Sequence, residues 1–313
     1  MVEPAISVVI PTYRRPEKMA RMISALEAQT LDRSQFEVIV VDNCSDDDTP
    51  AILADLAAAS PLNMRILRTP VNRGPAAARN LGWKSARAPL LAFTDDDCVP
   101  QPKWLAAGLE TMLADPTMGV AQGCTHPDGP TSDWTVWREV LEPSPWFEAC
   151  NVFYRKDAVE RVGGFEEAMG WGGEDTMLGW GVLEQGGPHG FAEQAVILHD
   201  NESRGLKTFI RYAWLEGRLC TVAKRYPDFR KAIWRPWAVN PYNFAYVVAL
   251  TGALLGLFWK RPFLLLMLPY LKMRNPGVQH PRYFHYLGER IVVDSACFAG
   301  MKVGAVRDRV LLI

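Results

Sequence analysis

The sequence lacks the signals that mark several common protein classes. Its six cysteines are scattered along 313 residues without a CxxC pair, which excludes a disulfide scaffold and is typical of buried thiols in a reducing compartment. Neither GxxxxGK(S/T) nor GxSxG occurs, and no GxGxxG opens a helix after the first predicted strand. These absences argue against a P-loop enzyme, an α/β-hydrolase and a dinucleotide-dependent dehydrogenase. No nucleic-acid-binding motif occurs either, so we expect no nucleic-acid partner.

The whole chain has almost no net charge, but its two parts carry large charges of opposite sign. The net charge is −1, from 34 Lys and Arg against 35 Asp and Glu. Residues 206–313 hold 17 basic and 5 acidic side chains, a charge of +12, which leaves −13 for residues 1–205. This division predicts two parts with different roles: an acidic domain over 1–205 and a basic, apolar helical region over 206–313.

Hydrophobic runs long enough to cross a bilayer are also missing. The apolar run Phe244–Trp259 has 16 residues, and a helix of that length spans about 24 Å against a hydrocarbon core of roughly 30 Å. Lys260 and Arg261 separate it from a second apolar stretch, Pro262–Leu271. We therefore expect interfacial helices or a shallow re-entrant hairpin, held on an anionic membrane surface by the +12 charge. The alternative is a buried helical pair or a dimer interface.

The N-terminal segment bears on location. It has no basic stretch followed by an apolar one, so we expect no signal peptide. Combined with the apolar, basic C-terminal region, this predicts a protein at the cytoplasmic face of the cell membrane, peripheral or monotopic, with a homo-oligomer as a further possibility.

Short β-branched runs alternate with helical stretches over residues 5–125. Four apolar runs predict strands: Ile6–Thr12, Phe36–Val41, Met64–Leu67 and Leu90–Phe93. Near-continuous apolar strands separated by helices are typical of an α/β fold, with a mainly parallel sheet flanked by helices on both faces. Ligands bind beyond the carboxyl ends of such strands. Those ends are Thr12-Tyr13, Asp42-Asn43 and Asp95–Asp97.

Acidic residues at these positions are the strongest chemical signal. The run Asp95-Asp96-Asp97 directly follows a buried strand, which favours a Mg²⁺ or Mn²⁺ site over a solvated turn. Asp42 at the end of the second strand either binds a ligand or caps the next helix. His199 directly follows a late predicted strand, Phe191–Leu198, and the alternative is an ordinary core histidine.

A second acidic pair, Glu174-Asp175, follows a glycine-rich loop and opens a helix. Acids at a helix N-terminus often only complement the helix dipole, but a loop with Gly172 and Gly173 also suits a catalytic base. Trp171 and Trp180 flank this segment, either as core residues or as platforms on which a sugar stacks.

Six strings in order carry a resemblance to a known family, namely SVVIPTYRRPEKM, FEVIVVDNCSDDDT, NRGPAAARNLG, LLAFTDDDCVP, GGFEE and GGEDTMLGW. Together they resemble the inverting glycosyltransferases of family 2, which have the Rossmann-like GT-A fold, over roughly residues 5–200. The resemblance implies transfer of a sugar from a nucleotide-sugar donor, with a UDP-sugar favoured, to a hydroxyl acceptor on a glycan or lipid-linked cell-envelope molecule. It also implies a single displacement that needs one base and Mn²⁺ or Mg²⁺ as cofactor.

The resemblance assigns roles by position. The nucleotide would be lined by Pro11, Thr12, Tyr13, Asp42, Asn72, Arg79, Asp95 and Asp96, with Asp42 facing the base and Asp95 facing the ribose. The metal would be held by Asp97, His199 and Asp95. Asp175 would be the catalytic base, with Glu174 as the competing candidate. The acceptor side would be bordered by Asn151, Arg155, Trp171 and Trp180.

Two features limit the resemblance. Trp180 is followed by Gly181, where the family often has an arginine close to this tryptophan, and residues 206–313 match less well than the rest. A nucleotidyltransferase that makes a nucleotide sugar and a non-enzymatic membrane scaffold are the alternatives. The first would need a glycine-rich basic loop after the first strand, and the second would not need both acidic motifs.

Overall fold

The computed structural model describes residues 3–131, 134–136, 138–274 and 283–313. Contacts within the chain divide it into two units. The first contains the described residues up to 131 and those from 136 to 202. The second contains residues 134 and 135 and the described residues from 203 onward.

An eight-stranded sheet forms the centre of the first unit. The strands of the described residues, in order, are β1 (Ile6–Thr12), β2 (Phe36–Asp42), β3 (Met64–Arg68), β4 (Leu90–Thr94), β5 (Cys98–Pro100), β6 (Val120–Asp128), β7 (Thr135–Val136), β8 (Asn151–Arg155), β9 (His189–Asp200) and β10 (Glu202–Ser203). All except β7 and β10 belong to this sheet, in the spatial order β3-β2-β1-β4-β8-β6-β9-β5.

The four strands predicted from the apolar runs form the parallel half of the sheet. β1 lies between β2 and β4 and pairs in parallel with both, and β3 extends this half beyond β2. β8 then enters antiparallel between β4 and β6, and β5 pairs antiparallel with β9. The predicted α/β fold with a mainly parallel sheet is confirmed, and its carboxyl-terminal edge is the one that collects the polar strand ends.

Helices cover the sheet because the strands are apolar on both faces. The helices of the first unit are α1 (Pro16–Glu27), α2 (Thr49–Ala59), α3 (Pro75–Ser85), α4 (Trp104–Ala114), α5 (Lys156–Val162) and α6 (Glu174–Leu183). Proline is the first residue of α1 and α3, where its missing N–H costs no hydrogen bond and its fixed φ suits a helix. Short 3₁₀ turns occupy Arg33–Gln35 and Glu167–Met169.

Alternate residues of the strands supply two separate cores. Val8 belongs to the cluster that contains Met19 of α1 and Trp104 of α4. Val9, which points to the other face, belongs to the cluster that contains Ala78 of α3. Helix α3 approaches β1 so closely that a Cβ at Gly82 would lie 2.4 Å from a methyl group of Val9. This packing fixes the position of the loop that precedes α3 at the carboxyl edge of the sheet.

The second unit is helical. Its helices are α7 (Gly205–Leu215), α8 (Leu219–Arg225), α9 (Phe229–Ala232), α10 (Pro241–Phe258), α11 (Leu268–Met273) and α12 (Tyr283–Asp308), with 3₁₀ turns at Glu216–Arg218 and Arg261–Met267. The side chain of Asn240 caps α10 by accepting from the N–H of Asn243 at 2.9 Å. By length and composition α10 could cross a membrane; its mean hydropathy is 1.4 and 22% of it is buried.

Candidate active site

Polar strand ends meet at the carboxyl edge of the parallel half of the sheet. Thr12 of β1 lies directly opposite Asp42 of β2. The run Asp95–Asp97 follows β4, the other neighbour of β1. Thr12 Oγ1 donates to Asp96 Oδ2 at 2.8 Å, which joins the first strand end to the acidic run. The residues that the sequence grouped by strand position therefore lie together.

The three adjacent carboxylates are held by two arginines. Arg79 Nη2 donates to Asp95 Oδ1 at 2.7 Å. Arg15 Nη1 donates to Asp96 Oδ1 at 3.0 Å and to Asp97 Oδ2 at 2.9 Å. Burial raises the pKa of Asp96 to about 7, although Arg15 opposes the shift. Burial acts in the same direction on Asp95, but the charge and hydrogen bond of Arg79, together with the nearby positive groups, outweigh it and lower the pKa of Asp95.

Asp97 and His199 are suited to hold a divalent cation. Cys98 lies opposite His199 in the antiparallel pair of β5 and β9, which brings Asp97 Oδ1 to 3.6 Å from His199 Nε2. One ligand atom from each of Asp97, Cys98 and His199 lies within 4.8 Å of the others, and all three residues are buried. Burial raises the pKa of the Cys98 thiol well above its usual value, so it stays protonated. The carboxylate and imidazole that remain are ligands that suit Mn²⁺.

The candidate base lies at the start of α6. Gly172 and Gly173 adopt φ values of 95° and 88°, a turn that few other residues make without strain. Asp175 Oδ1 accepts from the N–H of Thr176 at 2.8 Å. Burial raises the pKa of Asp175, and burial together with the charge of Asp175 raises the pKa of Glu174 to about 7. The pair thus contains two carboxyls whose protonation changes closer to neutral pH than usual.

Arg79 connects this pair to the acidic run after β4. Its guanidinium contacts Asp95 through Nη2, and Nη1 donates to Glu174 Oε1 at 3.3 Å. The other oxygen of Glu174 accepts from the N–H of Gly172 at 2.8 Å. Glu174 therefore holds the loop and Arg79 through hydrogen bonds, whereas Asp175 accepts from a backbone N–H of its own helix and Arg79 acts on it through charge. This favours Asp175 over Glu174 as the base.

The loops after β1, β2 and β3 form the other side of the site. Asp42 is 1% exposed, accepts from the N–H of Ser45 at 2.9 Å and pairs with Arg68 at 2.9 Å. Asn72 accepts from the side chain of Asn43 at 2.9 Å and from the N–H of Gly74 at 3.0 Å. These contacts shape the two loops that extend beyond the strand ends.

Pro11 and Tyr13 flank Thr12 at the end of β1. Pro11 is buried opposite Val41 of β2. The ring of Tyr13 lies 5.2 Å from the guanidinium of Arg14. Pro11 is thus part of the sheet, and Tyr13 is the partly exposed residue at this strand end.

Two arginines of this site were missed by the sequence analysis. Arg15 bridges Asp96 and Asp97, and Arg68 pairs with Asp42. The one available signal was position, since Arg68 ends β3 in register with Asp42 and Arg15 lies three residues after Thr12. Spacing along the sequence does not show which carboxylate a long, flexible side chain reaches.

Asn151 and Arg155, which the resemblance assigns to the acceptor side, both make structural contacts in this fold. Arg155 pairs with Leu90, at the opposite end of β4 from Asp95, and donates to three backbone oxygens at the end of α4 and in the loop after it. The amide of Asn151 is buried, donates to the carbonyls of Cys124 and Ala195, and accepts from the indole of Trp104.

The two tryptophans predicted for the acceptor side, Trp171 and Trp180, lie in different environments. The indole of Trp180 donates to the carbonyl of Pro145 at 3.0 Å and its ring packs edge-on to Phe147, so it belongs to the core around α6. Trp171 is 45% exposed and its indole lies near Gly74, beside the loop that carries Asn72. Of the two, Trp171 is therefore placed where a bound sugar could stack on it.

Comparison with known proteins gives independent evidence on the family of the chain. The family model described as "Glycosyl transferase family 2" matches residues 7–167, just over half of the chain. Glycosyltransferase AglE of Haloferax volcanii is 33% identical over 180 residues, which cover 55% of this chain and 59% of that protein. The pre-mycofactocin glycosyltransferase of Mycobacterium tuberculosis is 27% identical over 239 residues, covering 71% and 48%. The chain spans about half the length of these curated relatives.

Solved structures show the same fold at low sequence identity. The mannosyltransferase PcManGT from Pyrobaculum calidifontis, in complex with GDP-Man and Mn²⁺, has a TM-score of 0.62 and 19% identity, covering 99% of this chain and 88% of that one. TarS residues 1–349 of S. aureus, in complex with UDP-GlcNAc, has a TM-score of 0.54 and 16% identity, covering 97% and 92%. These likenesses confirm the predicted GT-A fold.

Proposed function

The chain belongs to glycosyltransferase family 2, and from this premise we propose that it transfers one sugar from a nucleoside-diphosphate donor to a hydroxyl acceptor with inversion of configuration. The observation that carries the proposal is the contact of one buried arginine with two acidic motifs. Arg79 links Asp95, in the acidic run after β4, to Glu174, beside the candidate base. A donor bound at the strand ends and a base that acts on the acceptor would therefore be held by one connected set of side chains.

Asp175 is proposed as the general base. It would accept the proton of the acceptor hydroxyl as that oxygen attacks the anomeric carbon, and the nucleoside diphosphate would leave from the opposite side. A base works best when its pKa lies near the working pH, and burial raises the pKa of Asp175 in that direction. Glu174 and Arg79 would position it. No protein nucleophile is needed, since a single displacement inverts the anomeric centre.

Asp97 and His199 are proposed to hold Mn²⁺ or Mg²⁺. When bound, the cation would offset the charge of the diphosphate and act as a Lewis acid toward the leaving group. Support comes from the chemistry of the two side chains, whose facing atoms lie 3.6 Å apart, and from the Mn²⁺ bound to the structural neighbour PcManGT.

A UDP-sugar is the proposed donor. Asp42, at the end of β2, offers a buried carboxylate that accepts N–H groups, and Arg68 beside it offers a donor for a carbonyl oxygen of a base. Uracil presents both kinds of group. TarS has been solved with UDP-GlcNAc, whereas PcManGT has been solved with GDP-Man, so a GDP-sugar is the alternative.

Two variants test the assignment of Asp175 and Asp97. Asp175→Asn should lower transfer, measured as nucleoside diphosphate released in the presence of acceptor, by about 100-fold or more while donor affinity stays within about threefold. Asp97→Ala should weaken Mn²⁺ and donor together. Loss of donor binding in Asp175→Asn would contradict the role of the base. Full donor affinity in Asp97→Ala would contradict the cation site.

Binding of donor without transfer, in the wild-type protein, would favour the non-enzymatic scaffold. The acceptor for this assay is proposed to be a glycan or a lipid-linked molecule of the cell envelope. A simple alkyl glycoside and a polyprenyl-linked sugar, compared under the same conditions, distinguish the two classes of acceptor.

The second unit is proposed to bind an anionic membrane surface. Lys260 and Arg261 are exposed where the 3₁₀ turn that follows α10 begins. Around them lie large apolar side chains with exposed fractions of 74%, 86%, 67% and 64% at Leu257, Phe258, Trp259 and Leu265. Such an exposed group is larger than scattered surface residues explain, and the charge of +12 over residues 206–313 favours anionic lipid.

Vesicle sedimentation tests this surface. The protein should sediment with phosphatidylcholine vesicles that contain phosphatidylglycerol, and Leu257→Glu combined with Phe258→Glu should abolish the binding. Leu113→Glu is the matched control, because Leu113 is 61% exposed in α4 of the first unit. A wild-type dimer that the double variant dissociates, without any vesicle binding, would instead identify the apolar surface as a subunit interface.

A further inference from the structure

Arg15 places a protein cation on two carboxylates of the candidate metal site. Its Nη1 lies 3.0 Å from Asp96 Oδ1 and 2.9 Å from Asp97 Oδ2. Its Nη2 lies 3.2 Å from Glu202 Oε2. The side chains of Asp96 and Asp97 are only 7% and 5% exposed, and Arg15 itself is 29% exposed. The guanidinium therefore neutralises nearly buried carboxylates although the Arg15 side chain itself is partly exposed.

The position of Arg15 on α1 shows that these carboxylates, and not the helix, hold it there. Arg15 is the residue that precedes the first turn of α1, where the helix dipole disfavours a positive charge. Lys18 and Arg21 follow at intervals of three residues and pair with Glu202, Asp200 and Asp128. Those two side chains have partners away from Asp96 and Asp97, so Arg15 alone among the three faces the candidate metal site.

The two oxygens of Asp97 face different partners. Oδ2 accepts from Arg15, and Oδ1 lies 3.6 Å from His199 Nε2. A divalent cation held by Asp97 and His199 would lie on the same carboxylate as the guanidinium, so the two positive charges would repel each other. A nucleoside diphosphate would relieve this repulsion, because its phosphate oxygens offer Arg15 another charge-assisted partner.

We propose that Arg15 is an internal counter-ion that competes with the divalent cation for Asp96 and Asp97 until a nucleoside diphosphate binds. This inference rests on the proposed function and adds to it a reason for cooperative binding. Cation and nucleotide would each raise the affinity for the other by the same factor, because coupling between two binding equilibria is reciprocal. Arg15 is a positioning residue in this account, since it acts on the site through the carboxylates.

Mn²⁺ binding without turnover tests the proposal. The free Mn²⁺ signal in electron paramagnetic resonance gives the dissociation constant for the wild-type protein and for Arg15→Gln, each with and without UDP, and with GDP in parallel. Without nucleotide, Arg15→Gln should bind Mn²⁺ at least tenfold more tightly, which corresponds to about 1.4 kcal/mol. The increase in Mn²⁺ affinity that nucleotide produces should shrink in the variant by a similar factor.

Two further variants serve as controls. Arg15→Lys keeps the charge and should leave the Mn²⁺ constant without nucleotide within about threefold of the wild-type value. Arg21→Gln removes the same charge from the same helix, but its partners are Asp128 and Asp200, so it should leave Mn²⁺ binding unchanged. If Arg15→Gln does not fold, Glu202→Gln replaces it; loss of a competing partner should strengthen the hold of Arg15 on Asp97 and weaken Mn²⁺ binding.

The outcomes of the Mn²⁺ binding measurement distinguish failure of this inference from failure of the proposed function on which it rests. Unchanged or weaker Mn²⁺ binding in folded Arg15→Gln, with nucleotide-dependent Mn²⁺ binding intact in the wild type, overturns the role of Arg15 and leaves the proposed function standing. No Mn²⁺ binding by any form, even with UDP or GDP, overturns this inference together with the proposed Mn²⁺ site at Asp97 and His199, and sugar transfer is then decided by the release of nucleoside diphosphate alone.

Discussion

Replacement of Asn151 by alanine should destabilise the first unit strongly. The side-chain amide of Asn151 lies where the parallel pairing of β6 and β9 shifts register between Gly123 and Cys124. It donates to the carbonyl of Cys124 at 2.8 Å and to that of Ala195 at 3.0 Å, one on each strand. It also accepts from the indole of Trp104 at 2.9 Å. The side chain thus supplies hydrogen bonds where the strands cannot make regular ones.

The expected loss in the free energy of unfolding follows from the buried polar groups that the substitution leaves without a partner. Truncation to alanine removes the partner of one buried indole N–H and of two buried carbonyls. A buried polar group that loses its partner costs about 1–3 kcal/mol. With allowance for water entering the space, we expect a loss of about 3–6 kcal/mol in the free energy of unfolding. Domains of this kind have about 5–15 kcal/mol in total.

Urea denaturation followed by tryptophan fluorescence measures this loss. A double-mutant cycle with Gly123→Ala tests whether the two residues interact, because a Cβ at Gly123 would lie 2.3 Å from Asn151 Oδ1. Gly123→Ala alone should be destabilising, but in the Asn151→Ala background that clash is gone. The double variant should therefore be more stable than the sum of the single effects by at least about 1 kcal/mol.

A loss below about 1 kcal/mol for Asn151→Ala, or additive effects in the cycle, would refute this reasoning. Near-native stability combined with a raised KM for the acceptor would restore the acceptor-side role expected from the sequence.

Three further predictions concern other residues of the first unit. Arg155→Met should lower the free energy of unfolding by about 2–3 kcal/mol in the same urea assay, because three backbone oxygens lose their donor, and should leave kcat/KM within about twofold. Arg79→Lys should weaken donor binding, measured by calorimetry, and slow transfer by about tenfold or more each, since an ammonium cannot reproduce the two-armed contact with Asp95 and Glu174. The pH profile of kcat/KM should rise with pH through a raised pKa of Asp175, because the base must be ionised, and Arg79→Gln should move that rise to higher pH, because the charge of Arg79 lowers the pKa of Asp175. An unchanged profile in Arg79→Gln would show that the charge of Arg79 does not act on Asp175.

The parallel half of the sheet could be predicted because each of its strands is an apolar run that can be recognised in the sequence. Ile6–Thr12 and Phe36–Asp42 are buried at every position. A strand that is buried on both faces therefore appears in the sequence as a nearly continuous run of apolar residues. Parallel strands also bring their carboxyl ends to one edge, which is why Thr12 and Asp96 could be placed in the same site before any contact was known.

Other features of the fold and the site could not be predicted, and the reason is physical. The sequence of Asn151–Arg155 does not show that β8 runs antiparallel between β4 and β6 or that Asn151 faces the register shift. Likewise Arg15 and Arg68 are ordinary surface residues by composition. Their partners follow from which loop ends approach them in space, and that is set by the tertiary packing of α1 and β3.

Thermal unfolding of the purified protein with UDP-, dTDP- and GDP-sugars, each with and without Mn²⁺, tests the central claim most directly. A ligand present at about 100 times its Kd adds roughly 2.7 kcal/mol to the free energy of unfolding, which gives a readily measured rise in Tm. We predict a rise with one nucleotide, a UDP-sugar, that requires Mn²⁺, disappears in Asp97→Ala and persists in Asp175→Asn. No rise with any donor, in buffer and in detergent alike, would contradict a nucleotide-sugar site at this edge of the sheet.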